Sequence, residues 1–456
     1  MNYHYYLRAR YCLDAQSLSG HDLSMHGGHF DPETMTCRLR DELEADSVDP
    51  SEGRGGTGGN HSREYDEVVR RYKGTPLWMK APNGRPTKLS ERQWVQVRTP
   101  SFMKWFGDWE AADVQKFLES EPVGEAVGDE FAGMKREDVE REMEAYFKSI
   151  GGRVENPTIG PVNLTNRGIN DTMRKGMGRL KYAAFKLVPD IIESGRVVRS
   201  ENDWKGRGYS TYVIAAPISI GGLGHVAVVV VRCHQNGDRN FYLHEVSPLS
   251  VQKNKIAGLR SGLADNGEGV PSRDFGNILS KPLFSVNLSD VSKIVDENGE
   301  PRVVYHGTEE RFTAFDPSRI GSHTDSGLWG RGFYFSSSED EARSYDRANG
   351  TAGAYFLKMT SPCPAADVKK IAGEASVAAE EKCSDDMSPT EVKRLFDAEY
   401  HRSLDAYMSR FGFDGVVSDD ARGSRPTEFV AMMPNQIKSA TDNDGRFNPE
   451  DKDTTR

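Results

Sequence analysis

The chain has 456 residues with a formal net charge of −10; 36% are apolar, 28% are charged, and the mean hydropathy is −0.65. That length exceeds one ordinary core and implies two or three domains, while the low apolar content excludes a membrane protein. The acidic balance excludes a global basic field that would draw in nucleic acid, leaving only a locally basic face.

The five cysteines, Cys12, Cys37, Cys233, Cys363 and Cys383, form no CxxC pair, so neither a disulfide framework nor a thiolate metal site is expected. No signal-peptide core opens the sequence, and the longest aliphatic run, Val226 to Val231, is too short to span a bilayer. The expectation is a soluble, cytoplasmic protein without a metal and without membrane contact.

In chain order, residues 1–64 lack any sustained period, and the glycine-rich stretch Ser51 to Asn60 reads as a flexible linker, so this region is expected to be disordered. His4, His21, His26 and His29 are too irregularly spaced to suggest a metal cluster. Residues 65–110 are basic and aromatic, with Trp94, Phe102, Trp105, Phe106 and Trp109. Such a segment can stack on single-stranded nucleic acid, but docking of an aromatic helical face on a neighbouring domain is favoured. Residues 111–152 read as a connector helix, with Val139, Met143, Phe147 and Ile150 at helical spacing.

Residues 156–250 form a first folded unit. Helices are expected over Met177–Lys186 and Pro189–Ser194, then a meander of strands over Ser210–Ile220, His225–His234 and Asn240–Val246, broken at glycine-rich turns. Residues 251–286 read as a linker, 287–440 as a second unit, and 441–456 as a polar tail. In the second unit short strands are expected at Arg302–His306, Gly332–Ser336, Ala354–Met359, Asp414–Val417 and Glu428–Met432. Capping boxes at Ser338/Glu341 and Ser388/Glu391 open two helices, and Gly412 closes the second. The fold class is therefore α+β and multidomain.

Polar residues on the strands of the second unit are the first candidates for chemistry: His306 in VVYHGT, Tyr334 in GRGFYFSSS and Glu428 in PTEFVAMMPNQIKS, with Tyr345 in the helix after Tyr334. Singly, each suits an ordinary strand. Together they resemble the His–Tyr–Glu branch of ADP-ribosyltransferases, the branch of diphtheria toxin and the poly(ADP-ribose) polymerases. PRVVYHGT, FDPSRIGSHTDSGLWGRGFYFS and PNQIKSATDNDGRFNP resemble more closely the transferase domain of phage and mobile-element polyvalent proteins.

The resemblance implies a split-sheet domain that takes NAD as substrate. Glu428 would stabilise an oxocarbenium-like state and hold a ribose hydroxyl. Tyr334 and Tyr345 would sandwich nicotinamide, and His306, Gly307 and Thr308 would hold the nucleotide, Gly307 by leaving backbone room. His306, Tyr334 and Glu428 are the expected catalytic set. Elongating relatives carry an acceptor-binding acid near the glutamate; here Arg425 and Pro426 precede it, which favours mono-transfer.

The first unit, through LTNRGINDTMRKG, AAFKLVPDIIESGRVV, YVIAAPISIGG and FYLHEV, resembles barnase/EndoU/colicin/RelE-like nuclease domains of the same polyvalent proteins. Metal-independent cleavage of RNA would then draw on His225, His244, Lys181, Lys186, Lys205 and Arg207. The chain departs from that pattern at Asn170, Asp171 and Thr172, where many relatives carry a His–Ser pair.

In transferase relatives FGDWE runs almost directly into the VDENGEP start of the domain; here the first unit separates them, so it reads as an insertion. The leading expectation is an NAD-dependent mono-ADP-ribosyltransferase acting on a protein or nucleic-acid acceptor. A metal-independent ribonuclease, with RNA as partner, and a non-catalytic nucleotide- or nucleic-acid-binding module are the alternatives.

Overall fold

The computed structural model describes residues 60–202, 206–249, 288–308, 312–320, 327–345, 351–384, 386–418 and 427–456. In chain order these form α1 (Asn60–Tyr72), α2 (Glu91–Gln96), α3 (Pro100–Phe106), α4 (Trp109–Leu118), β1 (Glu125–Ala126), α5 (Arg136–Ser149), β2 (Arg153–Asn156), β3 (Gly160–Asn163), α6 (Asn166–Arg174), α7 (Arg179–Ala184), α8 (Val188–Ser194), β4 (Arg196–Glu201), β5 (Tyr209–Ile220), β6 (Leu223–His234) and β7 (Arg239–Pro248). Then follow β8 (Val304–Gly307), β9 (Phe333–Ser336), α9 (Glu339–Arg343), β10 (Ala352–Leu357), β11 (Pro362–Pro364), α10 (Ala365–Glu380), α11 (Pro389–Phe411), β12 (Gly415–Val417), β13 (Glu428–Ala431) and β14 (Ile437–Ser439). Helix and sheet are mixed, with two sheets in separate regions, which agrees with a multidomain α+β plan. Residues 1–59, the whole 251–286 linker, Lys205, Arg425 and Pro426 lie outside the described residues.

The first sheet runs β1-β5-β6-β7-β3-β2, with β4 also pairing β5. Its spine is the β5–β6 hairpin, in which Ile220 pairs with Leu223 across Gly221 and Gly222. Both glycines have positive φ, +58° and +76°, as a two-residue turn matched to strand twist requires. Alternation sends Ile214, Val229, Val231, Phe241 and Leu243 to one face and Val213, Val228, Val230 and Tyr242 to the other. Leu118 from α4 packs on the second of these faces.

Residues 111–152, expected as one connector, hold the rest of α4, β1 and α5. Helix α5 buries Val139, Met143 and Phe147 in the same core as Phe185 and Phe241, because its apolar stripe needs a partner and the sheet supplies one.

The second sheet runs β11-β12-β13-β9-β8-β10-β14. The strands β8 and β9 pair at one position only, Tyr305 with Ser336. The amino-terminal segment packs on this unit. Phe102 meets Phe356 at 5.2 Å and Phe447 at 5.0 Å, and the Trp105 indole donates to the Asn435 carbonyl at 3.1 Å. Arg98 lies 3.9 Å from the Trp94 ring and pairs with Glu300, a fully buried carboxylate, at 3.0 Å.

The same segment also touches the first unit, where Lys80 Nζ donates to the Pro157 carbonyl at 2.5 Å. Residues 441–456, expected as a tail, are packed. Asn443, Phe447 and Thr454 are buried, and the buried Lys438 amine donates to the carbonyls of Asp451, Asp453 and Arg456. A buried ammonium needs such acceptors, which folds the segment back.

Candidate functional site

The candidate transferase residues sit on the three central strands of the second sheet. Register pairs Val430 with Tyr334 and Glu428 with Ser336, so the Glu428 and Tyr334 side chains leave the same face. One loop ties them together. The Trp329 indole donates to Glu428 Oε2 at 2.6 Å, and the Trp329 backbone N–H donates to the Tyr334 hydroxyl at 3.0 Å. That hydroxyl in turn donates to the Gly330 carbonyl at 2.7 Å.

The loop can close this tightly because Gly327 and Gly330 take φ of +88° and +98°. A Cβ on Gly327 would lie 2.3 Å from the Tyr334 hydroxyl. The Tyr400 hydroxyl on α11 donates to the Leu328 carbonyl at 2.8 Å, and Lys369 Nζ on α10 lies 5.6 Å from the Trp329 ring. Trp329 was not singled out from the sequence; its place in the GLWG turn, with glycines on either side of the Leu–Trp pair, was the available signal.

His306 leaves the opposite face, with Phe315 at 5.1 Å and Phe335 at 5.5 Å. Its link to the other two runs through the backbone: Nδ1 donates to the Tyr334 carbonyl at 2.7 Å, where the β8–β9 ladder has stopped. Burial pushes the imidazole below its ordinary pKa and outweighs that hydrogen bond. Neutral with the proton on Nδ1, the ring keeps Nε2 as an acceptor.

Helix α9 ends at Arg343, so Tyr345 lies just past it rather than within it, its N–H donating to the Ala342 carbonyl at 3.1 Å. Tyr345 is 59% exposed; partial burial, then the charges of Glu428 and Glu341, raise its phenol pKa. The Tyr345 phenol thus feels the Glu428 carboxylate. Gly307 leaves no open space: a Cβ there would fall 1.8 Å from the Ala342 carbonyl and 3.3 Å from Tyr345 Cβ. Glycine at this position lets α9 and Tyr345 close on β8. Thr308 follows β8 and is half-buried. Gln436, part of the sequence pattern, accepts from the N–H groups of Met432 and Met433 and donates to the carbonyls of Lys358 and Asp414.

The described residues among those expected for nuclease chemistry do not form one constellation. His225 is buried at the β5–β6 turn, donating from Nδ1 to the Leu223 carbonyl at 2.7 Å. Lys186 pairs with Glu142 at 2.6 Å, and Arg207 is exposed on the approach to β5. Lys181 and His244 do share a neighbourhood: burial first, then the charges of Lys175 and Lys181, lower the pKa of His244. Asp171 pairs with Arg232 at 2.8 Å, and the Thr172 hydroxyl donates to the Gly168 carbonyl and accepts from the Leu243 N–H. Two of the three departures from the nuclease pattern are thus engaged in holding α6 on the sheet, Asp171 against β6 and Thr172 against β7.

Among the described residues no His, Cys, Asp or Glu group is placed to hold a metal, and no helix is long and apolar enough to cross a membrane. Two family models match the chain. Residues 134–242 match Large polyvalent protein-associated domain 3, and residues 296–447 match ADP-Ribosyltransferase in polyvalent proteins. No curated protein and no solved structure matches significantly. The 296–447 match takes in His306, Tyr334, Tyr345 and Glu428, and the two matches together support a polyvalent-protein ADP-ribosyltransferase.

Proposed function

We propose that the second unit is a mono-ADP-ribosyltransferase of the His–Tyr–Glu type, moving ADP-ribose from NAD to a macromolecular acceptor. The observation that carries the reading is Trp329 holding Glu428 and Tyr334 on one face, within the residues that match the transferase family.

The reaction breaks the bond between ribose C1′ and the nicotinamide nitrogen, and the electron pair leaves with nicotinamide. The acceptor nucleophile bonds to C1′ and gives up its proton. Positive charge builds on the ribose as the bond lengthens, and the Glu428 carboxylate, oriented by Trp329, stabilises it. His306, on the opposite face, serves the set through its hydrogen bond to the Tyr334 carbonyl, which holds β9 where its ladder with β8 ends. Tyr345, exposed and beside Glu428, stacks on the nicotinamide ring, with Tyr334 beneath. Gly307 and Thr308 contribute backbone groups at the end of β8.

Mono-transfer is the form proposed because Arg425 and Pro426 supply no second acid beside Glu428. Incubation with NAD labelled in the adenylate half tests the reading. Label on a macromolecule with nicotinamide released stoichiometrically is expected; NAD left intact across candidate acceptors would reject it.

The first-sheet unit is proposed as an insertion between the transferase and its aromatic segment. The packing of Phe102 and Trp105 on Phe356 and Phe447 supports this. A deletion that takes α5 out together with its core runs over residues 119–287; removing only 156–249 would strip Phe185 and Phe241 from Phe147. Soluble, active transferase is expected from the longer deletion, and its loss would refute the insertion.

A further inference from the structure

Away from the transferase site, β7 carries a group of basic side chains that the proposed reaction does not use. Its pairing with β6 slips between Val228 and Val229: Val228 faces Glu245 and Val229 faces Leu243, so His244 is an extra residue bulged out of the ladder. A bulge turns a side chain away from the regular alternation, often beside functional sites. The His244 Nδ1 is buried with no hydrogen-bond partner among the described residues.

Its surroundings are cationic. Lys181 on α7 is 8% exposed, and its amine donates to the Gly176 carbonyl at 2.8 Å, leaving two further protons. Lys175, exposed at the end of α6, lies 4.7 Å from the Tyr242 ring, whose centroid is 5.8 Å from that of His244. Arg232 on β6 also reaches Tyr242, at 4.8 Å, but Asp171 engages it. No described carboxylate pairs with Lys175 or Lys181; Glu245 acts on Lys181 only at a distance.

We propose that Lys175, Lys181 and His244 form a binding site for a phosphate group. Two ammonium groups without counter-ions and an unpaired imidazole nitrogen, presented from three separate elements, suit a tetrahedral oxyanion better than a planar carboxylate. The electrostatics agree. Burial and then Lys175 push the Lys181 amine down to about 8, and burial, then Lys175 and Lys181, push His244 down to about 4. An anion placed among them reverses the repulsion and draws a proton onto His244, turning it into a donor.

The phosphate can come from a free phosphate or nucleotide or from a polynucleotide backbone. The full chain is titrated calorimetrically with inorganic phosphate, pyrophosphate and a single-stranded oligoribonucleotide, while imidazole nitrogen resonances are followed by NMR. The expected result is saturable binding that raises the His244 titration midpoint and weakens on the order of tenfold or more in Lys175→Gln and in Lys181→Gln. Lys175 is exposed, so Lys175→Gln keeps the fold even where the buried Lys181 variant does not, and nicotinamide release by both folded variants should stay at the wild-type rate.

Oligoribonucleotide binding that inorganic phosphate displaces identifies a polynucleotide as the source. Binding of phosphate or pyrophosphate alone identifies a small ligand. Absence of all three at millimolar concentration, or binding untouched by Lys175→Gln, overturns the site without bearing on the transferase.

Discussion

The two sheets hold their polar clusters in opposite ways. On the second, the Tyr334 hydroxyl both donates and accepts, Glu428 accepts from Trp329, and His306 donates to a carbonyl. On the first, among the described residues, the His244 Nδ1 lacks a hydrogen-bond partner and Lys175 and Lys181 lack a paired carboxylate. A cluster satisfied from within is rigid before any ligand arrives, and its groups are already aimed; that suits stabilisation of a transient charge. A cluster left unsatisfied carries a desolvation cost that a ligand removes on binding, so it gains in affinity rather than in orientation.

The sharpest way to break the contrast is Glu428→Gln, which keeps shape and loses charge. Nicotinamide release should fall by about 100- to 1,000-fold, roughly 2.7–4 kcal/mol, with little change in NAD affinity by calorimetry. A wild-type rate would remove Glu428 from the reaction. Next comes Trp329→Phe, which keeps an aromatic ring in the turn but removes the donor to Glu428. A hydrogen bond to a charged group is worth about 1.5–3 kcal/mol, so kcat should drop on the order of tenfold or more with KM nearly constant. A matching rise in KM instead would mean that Trp329 serves binding, not orientation.

The first sheet offers a smaller effect, in pH dependence. His244 is held near 4 in the fold against an ordinary value near 6.5 in the unfolded chain. The unfolded state therefore takes up the proton first. Stability should fall as pH drops from about 6.5 to about 4 and level off below. Urea titrations of the wild type and of His244→Gln should diverge across that window, the variant losing less; parallel curves would contradict the buried, neutral imidazole. Smallest is Ser388→Ala at the start of α11, the helix whose Tyr400 holds the Leu328 carbonyl. It should cost about 1 kcal/mol of stability and leave NAD turnover intact.

Local patterns reached some of these features and not others. The Ser388–Glu391 box and the left-handed Gly412 stop follow the sequence, as do the long β5–β6 hairpin and the strands bearing His306, Tyr334 and Glu428. The Ser338–Glu341 box forms only by half, because the Ser336 hydroxyl takes the Glu341 carboxylate. Helix α10 carries no such signal. Its buried face is largely alanine, at 365, 372, 375 and 379, which gives little hydropathy contrast, although the three- and four-residue spacing was there.

The bulge at His244 is invisible to alternation alone, since it depends on where Val228 and Val229 find their partners. Trp329 and Glu428 stand 99 residues apart, and nothing local announces their bond. The His306 face is a consequence of register, not of spacing: one pair, Tyr305 with Ser336, decides it.

The packing of Trp105 on the far end of the chain has a consequence for synthesis. Its carbonyl partner, Asn435, is 330 residues downstream. At about 5–20 residues per second, translation leaves the indole without that partner for roughly 15–65 s. In that interval the first sheet, whose strands lie between the two, can finish pairing. Trp94, Phe102, Trp105 and Phe106, which end up buried, must wait beside it. The segment made early is thus among the last to settle, and shielding those rings on the ribosome falls to a neighbouring domain or a chaperone.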